Sequence, residues 1–545
     1  MKRLAAALLA LPLLTACASS PPPGRERTAV LLSINDVYRI EGVEGGTAGG
    51  LSRVRALREE LEREHPDLLM LHAGDLLFPS FASRMYKGEQ MIAVLNDLDG
   101  DPRANDPRMF VTFGNHEFER LKLADAGVLA SRVKESQFQW LGGNVVFKKG
   151  ADGEPLVGGG NVNRTALVES GGIRIGLFGI TIPMTGVQYV DDFAGPDVTA
   201  RELTADLRRR GAEVVVAVTH LNRDDDEEIL KTLGDAGPDL IIGGHDHEHM
   251  AIQVGGRWLL KADADARTAV IVRVHLGAAA GGKPRIEHEI RPLSGAAPRP
   301  DPEVQALVDQ WQAKHEQAFC QQAKADPKCL EEVYGRTRTE LEAEETKIRG
   351  SETSLGDWVT DRMVAAFAGC GAQAALINSG TLRLNQDLAA GTRITRRHVE
   401  ELFAYPTPLY LLRLDGATLQ KVADQSVRGW PGSGSWLQIS GWAFQHAQAA
   451  RSARHLTLLA PGGARPLRPD ETVLVVTNDY VINPDIGDQD GYTMLTRDQA
   501  VSGCAATGQD LKDLVIRDLK AAEPQGIAPV DEGRICQPGT KCLAK

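Results

Sequence analysis

Beyond one short leader-like segment, this 545-residue sequence has no apolar run long enough to cross a bilayer, so no membrane-spanning helix is expected in the body of the chain. It has no Lys/Arg-rich run either. Its 61 Lys and Arg are outnumbered by 73 Asp and Glu, for a formal net charge of −12. That balance argues against a nucleic-acid polymer as partner, while a locally cationic pocket for a small anion stays open. No Cys-x-x-Cys spacing occurs, which removes the usual zinc-clip and dithiol signatures. No short-period repeat is visible, so a solenoid is excluded. What is present is ordinary for a globular protein, 42% hydrophobic and 25% charged. At about 100–200 residues per domain the length suggests about three units, or two large ones.

The N-terminus carries an address signal. Lys2 and Arg3 precede apolar residues 4–14, and Leu14-Thr15-Ala16-Cys17 resembles a bacterial lipobox, so residues 1–17 read as a lipoprotein signal segment whose Cys17 is acylated and becomes the first residue of the mature protein. The Pro- and Ser-rich residues 18–27 read as a tether. The expectation is an exported protein, held to a bacterial membrane through lipid only and facing the periplasm or the cell surface. Six further cysteines remain: Cys320, Cys329, Cys370, Cys504, Cys536 and Cys542. An even number in an exported chain favours disulfides. Many connectivities are open; the simplest joins Cys320 to Cys329 and Cys536 to Cys542 as small loops, leaving Cys370 for Cys504.

Residues 28–298 alternate strand-length apolar runs (30–34, 68–71, 109–113, 173–180, 214–218, 240–242) with helical patterns such as 52–64 and 199–210, and 270–274 suggests a final strand. Buried strands separated by helices imply a layered α/β domain. Residues 299–345 are polar and helical in propensity, and read as a connector. From about 346 to 545 a second domain mixes helices (355–367, 417–427) with strands (409–414, 472–477).

The most informative regularity lies at the ends of the first domain's strands. The run 30–34 leads into Asn35-Asp36-Val37-Tyr38, 68–71 into His72-Ala73-Gly74-Asp75, and 109–113 into Gly114-Asn115-His116-Glu117. Likewise 214–218 leads into Thr219-His220, and 240–242 into Gly243-Gly244-His245-Asp246-His247. Ligands gather at the carboxyl ends of strands in α/β sheets, so residues far apart in sequence can converge there. Carboxylates, imidazoles and an amide oxygen suit Zn, Mn, Fe and similar ions. Each motif alone is an ordinary turn. All five in this order point to a two-metal site able to clamp the attacking and leaving oxygens at phosphorus.

This ordered set resembles the calcineurin-like metallophosphoesterases, and more narrowly the 5′-nucleotidase family. The resemblance implies an N-terminal layered αββα sandwich, a connecting helix and a C-terminal α+β substrate-specificity domain. It implies one metal on Asp36, Asp75 and His247, and a second on Asp75, Asn115, His220 and His245, with Asp75 bridging. His116 would stabilise charge on the leaving or transferring group, oriented by Glu119, and a metal-bound hydroxide would be the nucleophile. The chain departs from the family at its first motif, Asp-x-His, where it has Asp36-Val37-Tyr38. Three readings of Tyr38 stand open: a ligand to Fe(III), as a tyrosinate serves in the related purple acid phosphatases; a lining residue of a loosely held first metal; or a site inactive at that metal. His72 and His249 are nearby alternatives that read more simply as strand and loop residues.

The resemblance extends to the second domain. Arg349-Gly350-Ser351-Glu352-Thr353-Ser354-Leu355-Gly356-Asp357 resembles the segment that opens it, with Asp357 where relatives carry Asn, and Asn378-Ser379-Gly380-Thr381-Leu382-Arg383 resembles the Asn-x-Gly-x-x-Arg loop. By that match Arg349, Asn378 and Arg383 bind substrate oxygens, Tyr405 and Tyr480 stack a base, and Asp490 belongs to the Gly-Asp-Gly-aromatic ending. Residues 483–489 lengthen the loop before Asp490. Rotation of this domain would carry substrate to the metals, with the connector as hinge. Three functions compete: a 5′-nucleotidase or nucleotide-sugar hydrolase with two divalent ions; a cyclic-nucleotide or general phosphatase with a ferric tyrosinate site; and a catalytically weak nucleotide-binding surface lipoprotein. The partner is a small phosphorylated molecule in each case.

Overall fold

The computed structural model describes residues 26–277, 282–295, 298–447, 450–460, 462–484 and 489–544. The leader with Cys17 and nearly all of the tether lie outside the described residues, as do residues 485–488 of the lengthened loop.

The first half is built on two facing sheets. One has seven strands, in the order Arg285–Pro292, Thr268–Leu276, Arg27–Ile34, Leu69–His72, Met109–Thr112, Gln139–Leu141 and Val162–Asn163. The other has six, in the order Met250–Val254, Arg257–Lys261, Leu240–Gly243, Val214–His220, Ile173–Thr181 and Thr165–Ser170. Side-chain alternation explains why these runs are apolar throughout. Leu31 and Leu71 point into the core between the sheets, with Val216, Val218 and Ile242 opposite. Leu32, Ile34 and Met70 point the other way, onto helices Leu51–Glu62 and Glu89–Leu95. On the second sheet Val215 and Ala217 pack against helices Pro196–Arg209 and Arg223–Leu233. A strand covered on both faces needs apolar residues at every position. The result is the expected four layers, helix, sheet, sheet, helix.

The chemistry-bearing strands run parallel within each sheet: Arg27–Ile34, Leu69–His72 and Met109–Thr112 in one, Ile173–Thr181, Val214–His220 and Leu240–Gly243 in the other. Their carboxyl ends therefore meet along one rim. The expected strand and helix runs all form. Mixed-polarity edge strands such as Met250–Val254 and Arg285–Pro292 lack the continuous apolar signal because one side faces solvent.

Helix Pro302–Gln322 crosses to the second half. Asp301 caps it by accepting from the N–H groups of Glu303 and Val304, and Val304 and Val308 pack into the first core. From Val333 the chain already pairs within the second half, where Val333–Arg336 joins Arg393–Thr395. A four-stranded sheet (Leu409–Asp415, Thr472–Asn478, Ala374–Asn378, Leu437–Ser440) separates two cores there. Helices Ser354–Ala366 and Leu511–Ala522 cover one face, and Gly416–Arg428 covers the other. All three disulfides form as the simplest pairing predicts: Cys320–Cys329, Cys370–Cys504 and Cys536–Cys542. Among the described residues no helix is long and apolar enough to cross a membrane.

Candidate metal centre

The five strand-end motifs meet at one buried spot. Asp36, Asp75, His245 and His247 all adopt left-handed backbone conformations (φ 52°, 57°, 83° and 62°), which non-glycine residues rarely occupy. Such strain persists where surrounding structure imposes it, and it clusters at functional sites. Glycines let the loops close on the side chains. A Cβ on Gly114 would lie 2.1 Å from Asp75 Oδ1, and one on Gly74 would lie 2.6 Å from His220 Nδ1.

Two donor groups share Asp75. In the first, His247 Nε2 lies 3.3 Å from Asp36 Oδ1, and the Tyr38 hydroxyl lies 2.9 Å from His247 Nε2, 3.2 Å from Asp75 Oδ2 and 3.3 Å from Asp36 Oδ1. Asp36, Asp75 and His247 are buried and bring ligand atoms within 4.8 Å of one another. In the second, His220 Nε2 lies 3.2 Å from Asp75 Oδ2 and 3.0 Å from Asn115 Oδ1, and His245 Nδ1 lies 3.0 Å from the same amide oxygen. His220 Nδ1 donates to the Ala73 carbonyl at 2.7 Å, which turns Nε2 toward Asp75 and Asn115.

Charge makes the same point. Burial alone lowers an imidazole pKa, yet Asp75 and Asp36 outweigh it at His220 and carry that group up to about 10. His245, buried beside His220, is pushed down to about 3. Burial with Asp75 and Asp36 holds the Tyr38 phenol well above its ordinary range. Buried carboxylates that draw a proton onto His220 would hold a metal cation in its place, and the donor set of oxygens and imidazole nitrogens fits two cations.

Beside this centre His116 Nδ1 bonds the Glu119 carboxylate, and the His116 backbone N–H donates to Asp75 Oδ1 at 2.8 Å. Burial opposes the imidazolium, but Asp75 and Glu119 raise the His116 pKa. The neighbouring Glu117 has a different task. Its carboxylate accepts from the backbone N–H groups of Asp75, Leu76, Leu77 and Gly114, tying two ligand loops together. Beneath the last loop, the buried Lys261 ammonium donates to the carbonyls of Leu221 and Gly244 and pairs with Asp226 and Asp246. Two alternative ligands stand apart: exposed His249 bonds Asp263, and His72 is fully buried in its strand.

The second half closes over the centre. Arg383 donates from Nε to the Gly380 carbonyl at 2.7 Å and places Nη2 3.4 Å from His116 Nε2; its buried Nη1 has no partner among the described residues. Arg349 is buried against Glu345, whose carboxylate also lies 2.9 Å from His247 Nδ1. Asn378 donates to Asp490 at 2.7 Å, and the Tyr480 hydroxyl donates to Asp490 at 3.3 Å. The Tyr405 hydroxyl donates to Glu119. Glu345 and Lys261 carry no signal in the sequence pattern, and Glu117 stands in a strand-end motif that gives it no role. Each is a charged residue whose role depends on a long-range contact.

Comparison with known proteins agrees with this architecture. The calcineurin-like phosphoesterase model matches residues 30–249, and the model for the 5′-nucleotidase C-terminal domain matches residues 333–497. The chain belongs to the 5′-nucleotidase family. It is a phosphoric ester hydrolase with that family's two-domain plan, and calcineurin-like phosphoesterases use divalent metals. It is 21% identical to human 5′-nucleotidase over 532 residues, covering 89% of this chain and 85% of the relative. Its fold matches a 5′-nucleotidase precursor from Thermus thermophilus with a TM-score of 0.75 at 22% identity, covering 94% of this chain and all of the other. A sulfate thiohydrolase from the same organism has the same fold, with a TM-score of 0.68 at 17% identity, covering 96% and 99%.

Proposed function

We propose that the chain is an exported 5′-nucleotidase or nucleotide-sugar hydrolase that works with two divalent ions. The observation that carries this reading is the shared position of Asp75 between two donor groups. Asp36, Asp75 and His247 would hold one ion, with Tyr38 beside it, and Asp75, Asn115, His220 and His245 the other. Bound there, such ions lower the pKa of a coordinated water and neutralise phosphoryl oxygens.

The chain's own groups do the rest. Glu119 fixes His116 through Nδ1, so Nε2 faces the reacting centre and can donate to an oxygen that gains charge. Arg383, whose Nη2 stands beside His116, keeps a buried Nη1 with no partner among the described residues, a group suited to a phosphate oxygen. Arg349 would join it if substrate displaces Glu345. Asn378, Asp490 and Tyr480 would line the nucleoside side, with Tyr405 as the second aromatic wall. On this reading residues 28–298 carry the metals, 299–345 connect, and 346–545 choose the substrate. Acylation at Cys17 is proposed from the lipobox alone, and the three disulfides accord with export.

Tyr38 favours a second reading of the first ion. Its oxygen stands 2.9–3.3 Å from three donors, close to the about 3 Å between neighbouring ligands on one ion with bonds of about 2.1 Å. A tyrosinate suits Fe(III), and the enzyme would then serve as a cyclic-nucleotide or general phosphatase. The test is phosphate release from AMP, UDP-glucose and a 2′,3′-cyclic nucleotide, with the visible spectrum of the metal-loaded protein. Hydrolysis of AMP or UDP-glucose that collapses in His116→Ala supports the first reading. A broad visible band lost in Tyr38→Phe supports the second. No hydrolysis of any of the three would favour the catalytically weak binding protein.

A further inference from the structure

Tyr405 sits where the family resemblance predicts a base-stacking ring, yet its best-defined contact is polar. Its hydroxyl donates to Glu119, the carboxylate that holds His116. The contact spans the two halves of the chain: Glu119 follows the strand Met109–Thr112, and Tyr405 follows the helix Arg396–Leu402 of the second domain. Burial and the adjacent Glu119 raise the Tyr405 pKa well above its ordinary value, so the phenol keeps its proton and acts as donor. Thr407 holds the Tyr405 backbone by donating to its carbonyl at 3.1 Å, and the Thr407 N–H donates to Asp510 at 3.0 Å. From the other side Arg383, also of the second domain, reaches His116 Nε2. Both ring nitrogens of His116 are thus addressed by groups whose placement depends on the second domain, Nε2 directly and Nδ1 through Glu119.

We infer that Tyr405 is a positioning residue for the reaction: its hydroxyl fixes Glu119, and through it His116, only when the second domain is docked on the first. A phenylalanine ring at this place would stack a base equally well, but it has no hydroxyl to offer Glu119. The side chain therefore couples domain closure to alignment of the His116–Glu119 pair. The inference rests on the proposed function, since it assigns a part in that reaction.

The test is steady-state hydrolysis of AMP by the metal-loaded full chain as wild type, Tyr405→Phe, Glu119→Gln and the double variant, with the melting temperature of each. Tyr405→Phe is expected to lower kcat about tenfold with KM within about twofold, and to have no further effect in the Glu119→Gln background. Melting shifts of the two single variants are expected to be non-additive. A Tyr405→Phe enzyme with wild-type kcat, or one changed only in KM, would overturn the inference and leave the ring as a stacking surface. If wild type hydrolyses neither AMP nor UDP-glucose, the proposed function has failed instead. The melting cycle then decides the contact by itself, and additive shifts overturn it.

Discussion

His247 and Glu345 join the two halves of the chain at the candidate metal centre. The imidazole turns Nε2 toward Asp36 and Tyr38, and its Nδ1 lies 2.9 Å from the Glu345 carboxylate on the far side of the connector. Burial opposes the charge on that carboxylate, but Arg349 and His247 outweigh it and hold the group well below the usual range, so it stays ionised. A carboxylate behind a ligating histidine fixes its tautomer and strengthens it as a donor. Glu345→Ala is therefore expected to weaken the first ion by about 10–100-fold and leave the second nearly unchanged. Chelator competition reads both affinities. Equal weakening of the two ions, or none, would count against the assignment.

Glu117 governs loop geometry rather than chemistry. Its removal strands four buried N–H groups, at Asp75, Leu76, Leu77 and Gly114. At about 1–3 kcal/mol for each unsatisfied group, Glu117→Ala is expected to cost at least about 3 kcal/mol of stability. Glu117→Gln, which keeps one acceptor oxygen, is expected to cost less. Denaturant unfolding measures the difference.

Lys261 supports the His245–His247 loop from beneath. Lys261→Met leaves the buried Asp226 carboxylate and the Asp246 carboxylate without their cation, which typically costs about 3–5 kcal/mol. The double variant with Asp226→Leu is expected to recover part of that stability. Thermal melting tests it, and a Lys261→Met protein as stable as wild type would show that this cluster is not the support inferred.

Acid should destabilise the fold through histidines buried away from the metals. His315, packed edge-on against Phe81 and Tyr86, and His446, packed edge-on against Trp430 and Trp436, are pushed down to about 4 mainly by burial. An unfolded histidine titrates near about 6.5. Between these values the unfolded chain takes up protons that the folded chain refuses, so stability falls as pH drops through that window. His315 contributes at most about 1.4 kcal/mol per pH unit. Melting temperatures between pH 7 and pH 4.5 should decline, and His315→Gln should flatten part of the slope.

The candidate centre was legible in the sequence because each candidate ligand follows a doubly buried strand, and such strands announce themselves as continuous apolar runs. That rule singled out the motifs that hold Asp36, Asp75, Asn115, His220, His245 and His247, the family resemblance assigned them to two ions, and the structure brings them to one buried spot. The partner of His247 was not, because Glu345 lies almost a hundred residues away and meets it only when the halves dock. The family resemblance offered Tyr405 as an aromatic wall, and its hydroxyl contact with Glu119 depends on the same docking. The edge strands were hidden for a different reason: with one side wet, their polarity does not separate them from loops.

The most direct test of a two-metal centre is titration of metal-free protein with Mn²⁺, following phosphate release from AMP against ions bound. No release is expected from the metal-free protein, and full activity is expected at two equivalents, with Asp75→Ala retaining less than one. Activity that survives complete metal removal, or saturates at a single ion, would contradict it.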